Sequence, residues 1–183
     1  MLSEEDIQRN KNRAIALLSE IPREGINNVI NFLEKNYFFE MPSSLSRHHN
    51  WEGGLTEHCL GVYDRLCKTG ENLSEESKIL TSLLHDVCKV GKIFKDENGN
   101  WKEKPDEELK IQGHGNRSVK ILEELGLSLS PEEKGAIKWH MGGWKIKELP
   151  KEEIRDFFSN KKSDLWRLLH NADRYDASHS PSA

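Results

Sequence analysis

Leu83-Leu84-His85-Asp86-Val87-Cys88-Lys89 is the stretch from which the chain is read. It closes a helix that the sequence opens near Ser74. Ser74 suits the N-cap, Glu75 and Glu76 suit the positive end of the helix dipole, and Gly91 suits the exit. Ile79, Leu80, Leu83, Leu84, Val87 and Cys88 recur at helical spacing and make a buried stripe. At about 100° per residue, His85, Asp86 and Lys89 gather with Ser82 on the other side. The histidine and the carboxylate offer one nitrogen and one oxygen ligand, and an aspartate can bridge two metals. Lys89 lies one turn on, within reach of a phosphate oxygen. An isolated His-Asp pair is more often a solvated face than a site, so the reading depends on the other histidines.

Toward the N-terminus, Ser46-Arg47-His48-His49-Asn50-Trp51-Glu52-Gly53-Gly54 is polar and aromatic, and its glycines allow a tight turn into the next helix. That helix runs from about Leu55 to Cys67 with Leu55, Cys59, Val62, Tyr63 and Leu66 as its stripe. His58 sits on the flank of the stripe and faces inward. Two further helices precede it. The first is capped by Ser3 and carries Ile7, Ala14, Leu17 and Leu18; the second carries Ile26, Val29, Ile30, Leu33 and Tyr37 on one face. They read as an N-terminal brace over residues 1–45.

Toward the C-terminus, residues 92–111 contain Asn98-Gly99, a strong hairpin signal, between Ile93-Phe94 and Trp101. They predict a small two-stranded flap, followed by a solvated loop over Lys104-Pro105-Asp106-Glu107-Glu108. Gly113-His114-Gly115 opens a helix with His114, Ser118, Ile121, Leu122 and Leu125 on one face. Ser130-Pro131-Glu132-Glu133 is a capping box for a helix that turns Ala136, Ile137, His140 and Met141 inward. A short helix follows over 151–158. Ser163 caps the last helix, where Leu165, Leu168, Leu169 and Ala172 form the stripe and Asp173 flanks it. A catalytic unit over 46–177 and a disordered tail over 178–183 complete the division. The expected fold class is all-α: a single bundle of about eight helices with one small β-hairpin flap beside the pocket.

Lys+Arg 27 against Asp+Glu 31 leaves a net charge of −4, which argues against gripping nucleic acid through backbone charge alone. No run approaches the roughly 20 apolar residues of a membrane span. The acidic start, Met1 to Asp6, lacks the features of a signal peptide, so a cytoplasmic protein without a membrane partner is expected. Cys59, Cys67 and Cys88 form no C-x-x-C and read as small buried thiols.

His58, His85, Asp86, His114, His140 and Asp173 are thus ligand-type residues brought inward by five helices. Burying them without partners is costly, and a shared metal centre removes that cost. Six nitrogen and oxygen ligands suit Mn, Fe, Mg, Co or Zn, and exceed the need of one ion, so two ions bridged by Asp86 are expected. No G-x-S-x-G elbow, Walker loop or G-x-G-x-x-G is present.

The order His58…His85-Asp86…Asp173 resembles the H…HD…D pattern of the HD-domain metal-dependent phosphohydrolases, and His114 and His140 match its dinuclear subgroup. His48-His49-x-x-x-Gly53-Gly54-Leu55-x-Glu57-His58 and Leu83-Leu84-His85-Asp86-x-x-Lys89 resemble the two leading motifs of bacterial exoribonuclease-type HD hydrolases. Gly113-His114-Gly115, Trp139-His140-Met141-Gly142 and Asn171-Ala172-Asp173 complete the set, over about residues 48–176. Cys88 stands where that second motif commonly has glycine, with little effect expected. A Gly-Tyr-Pro signature is absent, and the first 47 residues hold no counterpart of an OB-fold, so cyclic-di-GMP and processive RNA degradation are not supported.

The resemblance implies a first ion on His58, His85, Asp86 and Asp173 and a second on Asp86, His114 and His140. It implies cleavage of a small-molecule phosphomonoester or phosphodiester, a nucleotide foremost, by attack of a metal-activated hydroxide. Lys89 would steady the transition-state charge. His49, less so His48, and Arg117 would touch the substrate; a solvated helix arginine is the other reading of Arg117. Trp139 and Trp144 border the site, either stacking on a base or as core or rim aromatics. His170 and His179 read as surface residues. Two other readings stay open: an iron-dependent oxygen-activating enzyme on the same scaffold, and a non-catalytic, metal-stabilised nucleotide-binding module.

Overall fold

Serine caps start the helices where the sequence places them. In the computed structural model, which describes residues 1–105, 108–109, 113–143 and 146–179, Ser3 accepts from the Asp6 N–H while Asp6 accepts from the Ser3 N–H, opening α1 (Glu4–Ser19). The same reciprocal box, Ser130 with Glu133, opens α6 (Pro131–Trp139), and Ser74 caps α4 (Glu75–Leu84). The remaining helices are α2 (Ile26–Lys35), α3 (Gly54–Thr69), α5 (His114–Glu124), α7 (Lys151–Asn160) and α8 (Asp164–His179). The flap is present: β1 (Ile93–Lys95) pairs antiparallel with β2 (Trp101–Glu103), and Asp96 Oδ1 accepts from the backbone N–H groups of Asn98 and Asn100 to close the turn. The fold is therefore all-α with one small hairpin. Among the described residues, no helix is long and apolar enough to cross a membrane.

α3 is the central helix and packs on α1, α4 and α8. Its Leu55, Cys59 and Leu60 join Ala14, Leu18, Val29, Leu33, Leu80 and Leu84 in one core. Its Val62 and Leu66 join Ala136, Trp139, Leu165 and Leu169 in a second. Full burial of each such leucine stabilises the fold by about 1.5–3 kcal/mol. Gly115 lets α5 approach α6: a Cβ there would lie 2.1 Å from the Lys138 carbonyl oxygen.

Several expectations are corrected. α4 ends at Leu84, not near Gly91; His85 is its C-cap, Asp86 leaves helical geometry (φ −105°, ψ 15°), and Val87–Lys89 form a separate 3₁₀ turn. The cause is local. The Ser82 carbonyl, which would accept from the Asp86 N–H in a continuing helix, instead faces His85 Nδ1 at 2.8 Å, and the Ser118 hydroxyl donates to the His85 carbonyl. Ser82, His85 and Asp86 are buried rather than on a solvated face.

Tyr37 leaves the α2 stripe: it takes φ 57° just past the helix and is exposed, while the Phe38 N–H donates back to the Leu33 carbonyl. Met141 is exposed, because the chain turns after Trp139. Cys59 and Cys88 are buried, but Cys67 is exposed. Trp144, parts of the 104–108 loop and of the 92–111 segment, and residues 180–183 lie outside the described residues.

Candidate metal centre

Two helix ends set up the centre in the same way. α4 stops at Leu84 and α6 at Trp139, so His85 and His140 are their C-caps. Each ring turns Nδ1 to the carbonyl three residues back, 2.8 Å from Ser82 and 2.6 Å from Ile137. A carbonyl only accepts, so Nδ1 carries the proton and Nε2 keeps its lone pair. His58, inside α3, turns Nδ1 to Asp176 Oδ2 at 2.7 Å. The Nε2 atoms of His58, His85 and His140 are buried with no hydrogen-bond partner.

These nitrogens converge on two carboxylates. Asp173 Oδ1 lies 3.2 Å from His58 Nε2 and 3.9 Å from His85 Nε2. Asp86 Oδ2 lies 3.8 Å from His85 Nε2, and its Oδ1 lies 3.4 Å from His140 Nε2 and 2.5 Å from His114 Nε2. The structure thus brings together all six residues singled out as ligands, with His85 between the two aspartates. Donor atoms within metal-binding distance of one another form the groups His58–His85–Asp173, His85–Asp86–His140 and Asp86–Cys88–His114. The three orphaned, buried nitrogens and two buried carboxylates fit divalent cations, which are the partners this donor chemistry lacks.

Electrostatics in the metal-free chain follow from the packing. Burial, helped by repulsion from His140 and His58, outweighs Asp86 and Asp173 and pushes His85 down to about 4. Burial also acts against charge on His58, but Asp173 and Asp176 outweigh it and raise the ring to about 9. His114 rises to about 10, because Cys88 and Asp86 outweigh its burial. Burial would raise both aspartates, yet each is held well below the usual carboxylate range. Lys89, His85 and His114 do this for Asp86, and His58, His85 and His140 for Asp173.

Lys89 Nζ lies 2.7 Å from Asp86 Oδ2 and donates to the Ser43 carbonyl and hydroxyl at 2.6 and 2.9 Å. Its three donors are therefore engaged, and it clamps Asp86 to the Ser43 loop. His48 and His49 differ in position. His48 lines the open clefts beside the centre, whereas His49 is buried behind it at φ 49°, with Nε2 3.5 Å from Asp176 Oδ2. Burial, then repulsion from His58, lowers both rings to about 4. Arg117 is buried in α5 and not solvated. Trp139 is a core aromatic whose Nε1 donates to Asp156. His170 is not an ordinary surface residue: it stacks on Trp166 and donates from Nδ1 to the His140 carbonyl at 2.5 Å. His179 stacks on Tyr175 at the exposed end of α8, as a surface residue.

Two clefts meet at the centre and share His48, Met141 and Asp173. One, of about 720 Å³, is lined further by Gly142, Gly143, His170, Arg174 and Ala177. The other, of about 480 Å³, is lined by Ser43, Ser44, Ser46, Arg47, Asp86, Lys89, Lys92, Ile93, Glu103 and His114. Sequence reasoning missed Asp176 and Cys88. Asp176 stands three residues after Asp173, on the same face of α8, and that spacing was the available signal. Cys88 Sγ lies 3.2 Å from Nδ1 and 3.7 Å from Nε2 of His114, so the thiol touches a site residue rather than merely filling the core.

No curated protein and no solved structure matches the chain. The HD domain model matches residues 55–178, more than half of the chain, and with it His58, His85-Asp86, His114, His140 and Asp173; the protein belongs to the HD-domain family, whose members are in general metal-dependent phosphohydrolases.

Proposed function

We propose that this protein hydrolyses a phosphomonoester or phosphodiester, a nucleotide being the substrate class, on a pair of divalent ions. The observation that carries the reading is the convergence of three buried, unpartnered imidazole nitrogens on Asp86 and Asp173 at the junction of two clefts. In this reading His58, His85, Asp86 and Asp173 hold one ion, and Asp86, His114 and His140 hold the other. Bound there, the ions supply Lewis acidity toward phosphoryl oxygens and lower the pKa of water.

The chain's own residues do the rest. Ser82, Ile137 and Asp176 hold three imidazoles in the one tautomer that presents Nε2. Lys89 keeps Asp86 ionised and oriented, and meets a phosphoryl oxygen when it exchanges a Ser43 contact for it. His48, neutral at pH 7, faces both clefts and is available to hydrogen-bond the substrate. Arg47 and Arg174, one in each cleft, supply positive charge for an anionic substrate, and the clefts are of nucleotide size. The test is turnover of a panel of nucleotide monoesters and diesters by metal-reconstituted protein. Wild type turns over at least one member, and Asp173→Asn is slower on the order of 10²–10³-fold, the scale of losing one electrostatic element of a transition state. Metal-loaded protein inert on the whole panel overturns the reading.

A further inference from the structure

Both peptide groups that flank His140 are held from α8. The Trp139 carbonyl, in the peptide that enters His140, accepts from Trp166 Nε1 at 2.8 Å. The His140 carbonyl, in the peptide that leaves it, accepts from His170 Nδ1 at 2.5 Å. The His140 ring donates from its own Nδ1 to the Ile137 carbonyl at 2.6 Å. A residue's backbone has only two soft rotations, one on each side of its Cα. Holding both flanking peptides and the ring therefore sets the direction in which Nε2 points.

A helix that ends at Trp139 leaves its last carbonyls without intrahelical donors, and α8 supplies donors to this end. Among the described residues, the Trp139 carbonyl has a second donor, the Gly142 N–H at 2.8 Å, whereas the His140 carbonyl has His170 alone. Trp166 and His170 stand one turn apart and stack, with ring centroids 5.1 Å apart and planes within 8°, which fixes the imidazole against the carbonyl. The end of α4 is built alike, since the His85 carbonyl accepts from the Ser118 hydroxyl of α5 at 2.6 Å. A second, independent observation shows what the lock serves. His140 is fully buried, and its Nε2 has no hydrogen-bond partner and lies 3.4 Å from Asp86 Oδ1. Holding a buried nitrogen unpartnered is costly unless a ligand completes it.

We propose that His170 is a positioning residue for the second ion. Its Nδ1–H holds the peptide that leaves His140 and so keeps that ligand's Nε2 aimed at the ion shared with Asp86. The inference rests on the metal-pair reading above. His170 also lines the larger cleft, which places the lock between the substrate's cleft and the second ion.

The test separates the donor from the ring. His170→Phe keeps an aromatic ring to stack on Trp166 and loses the donor, whereas His170→Asn loses the ring and keeps an N–H donor. The full chain, stripped of metal, is titrated calorimetrically with Mn²⁺ for wild type, both variants and His114→Ala, which marks the step that belongs to the second ion. His170→Phe is expected to weaken that step 10–100-fold, the usual cost of removing a partner behind a metal ligand, and to leave the other step at wild-type affinity. The retained step shows that the variant is folded. His170→Asn is expected to bind both ions as wild type does. A wild-type second step in His170→Phe, or equal weakening of both steps, overturns the assignment while leaving the metal pair standing. So does a second step as weak in His170→Asn as in His170→Phe. A wild type that binds one equivalent or none overturns the metal pair and the assignment with it.

Discussion

His58 and His114 depart from an ordinary histidine's charge. Their rings, raised to about 9 and about 10, are imidazolium at neutral pH in the metal-free chain, whereas His85, at about 4, is neutral. A cation must displace the two protons, so affinity is expected to rise with pH between neutrality and about 9, by roughly tenfold per unit for each proton displaced. Isothermal titration with Mn²⁺ across that range, in buffers of different ionisation enthalpy, reads both the slope and the proton count. A flat profile contradicts the assignment. Asp176 acts through His58: Asp176→Ala removes the acceptor at 2.7 Å and is expected to weaken the first ion 10–100-fold with little loss of helix content. The histidines and aspartates were legible as candidate ligands because each lies on or beside an apolar stripe or, as with His85 and Asp86, is paired with another ligand type. The contacts of Asp176 with His58 and of Cys88 with His114 were not, since they depend on where another helix places its side chain, which periodicity does not encode.

The elements show where sequence pattern and backbone part. The stripe Leu83, Leu84, Val87, Cys88 is buried throughout, as its spacing predicts, yet the backbone that carries it is an α-helix, a turn and a 3₁₀ turn in succession. Periodicity reports which side chains are inside; it does not report that His85 and Ser118 have taken up the carbonyls a longer helix needs. The caps and the hairpin were legible because Ser-x-x-Glu and Asn-Gly act within a few residues. A close approach between α3 and α8 gives the element-scale prediction. A Cβ at Gly61 would stand 2.1 Å from Asp176 Oδ1, and 2.9 Å from its carboxyl carbon. Gly61→Ala is therefore expected to push Asp176 from His58 and to reproduce the metal loss of Asp176→Ala, although Gly61 touches no ligand. Wild-type metal affinity in Gly61→Ala, with the helices intact by circular dichroism, contradicts this.

Across the whole molecule, one ion network ties the N-terminal helices to the two halves of the bundle. Arg23, between α1 and α2, bonds Glu76 of α4 at 2.9 Å and Glu133 of α6 at 2.6 and 3.0 Å, and Glu133 also accepts from Ser77 and Ser130. Burial would raise Glu133, but Arg23, Ser130 and Ser77 outweigh it and hold it below its usual value of 4.5. Its contribution is therefore present above that value and is lost as pH falls through the lowered one. Thermal unfolding of metal-free protein is expected to show Glu133→Gln less stable by about 1–3 kcal/mol at neutral pH, with the gap closing in acid. A gap that persists or widens in acid contradicts the network's role. The division of the core into two clusters, with α3 shared, was not legible, because partner choice among amphipathic helices depends on packing that no single stripe specifies. The central claim, a pair of ions organised by Asp86, is tested most directly by metal content, measured on purified wild type beside Asp86→Ala by inductively coupled plasma mass spectrometry after reconstitution. The account predicts about two equivalents in wild type, the dinuclear count, and the loss of most of both in Asp86→Ala. One equivalent or none in wild type, or a variant that keeps both, would contradict it.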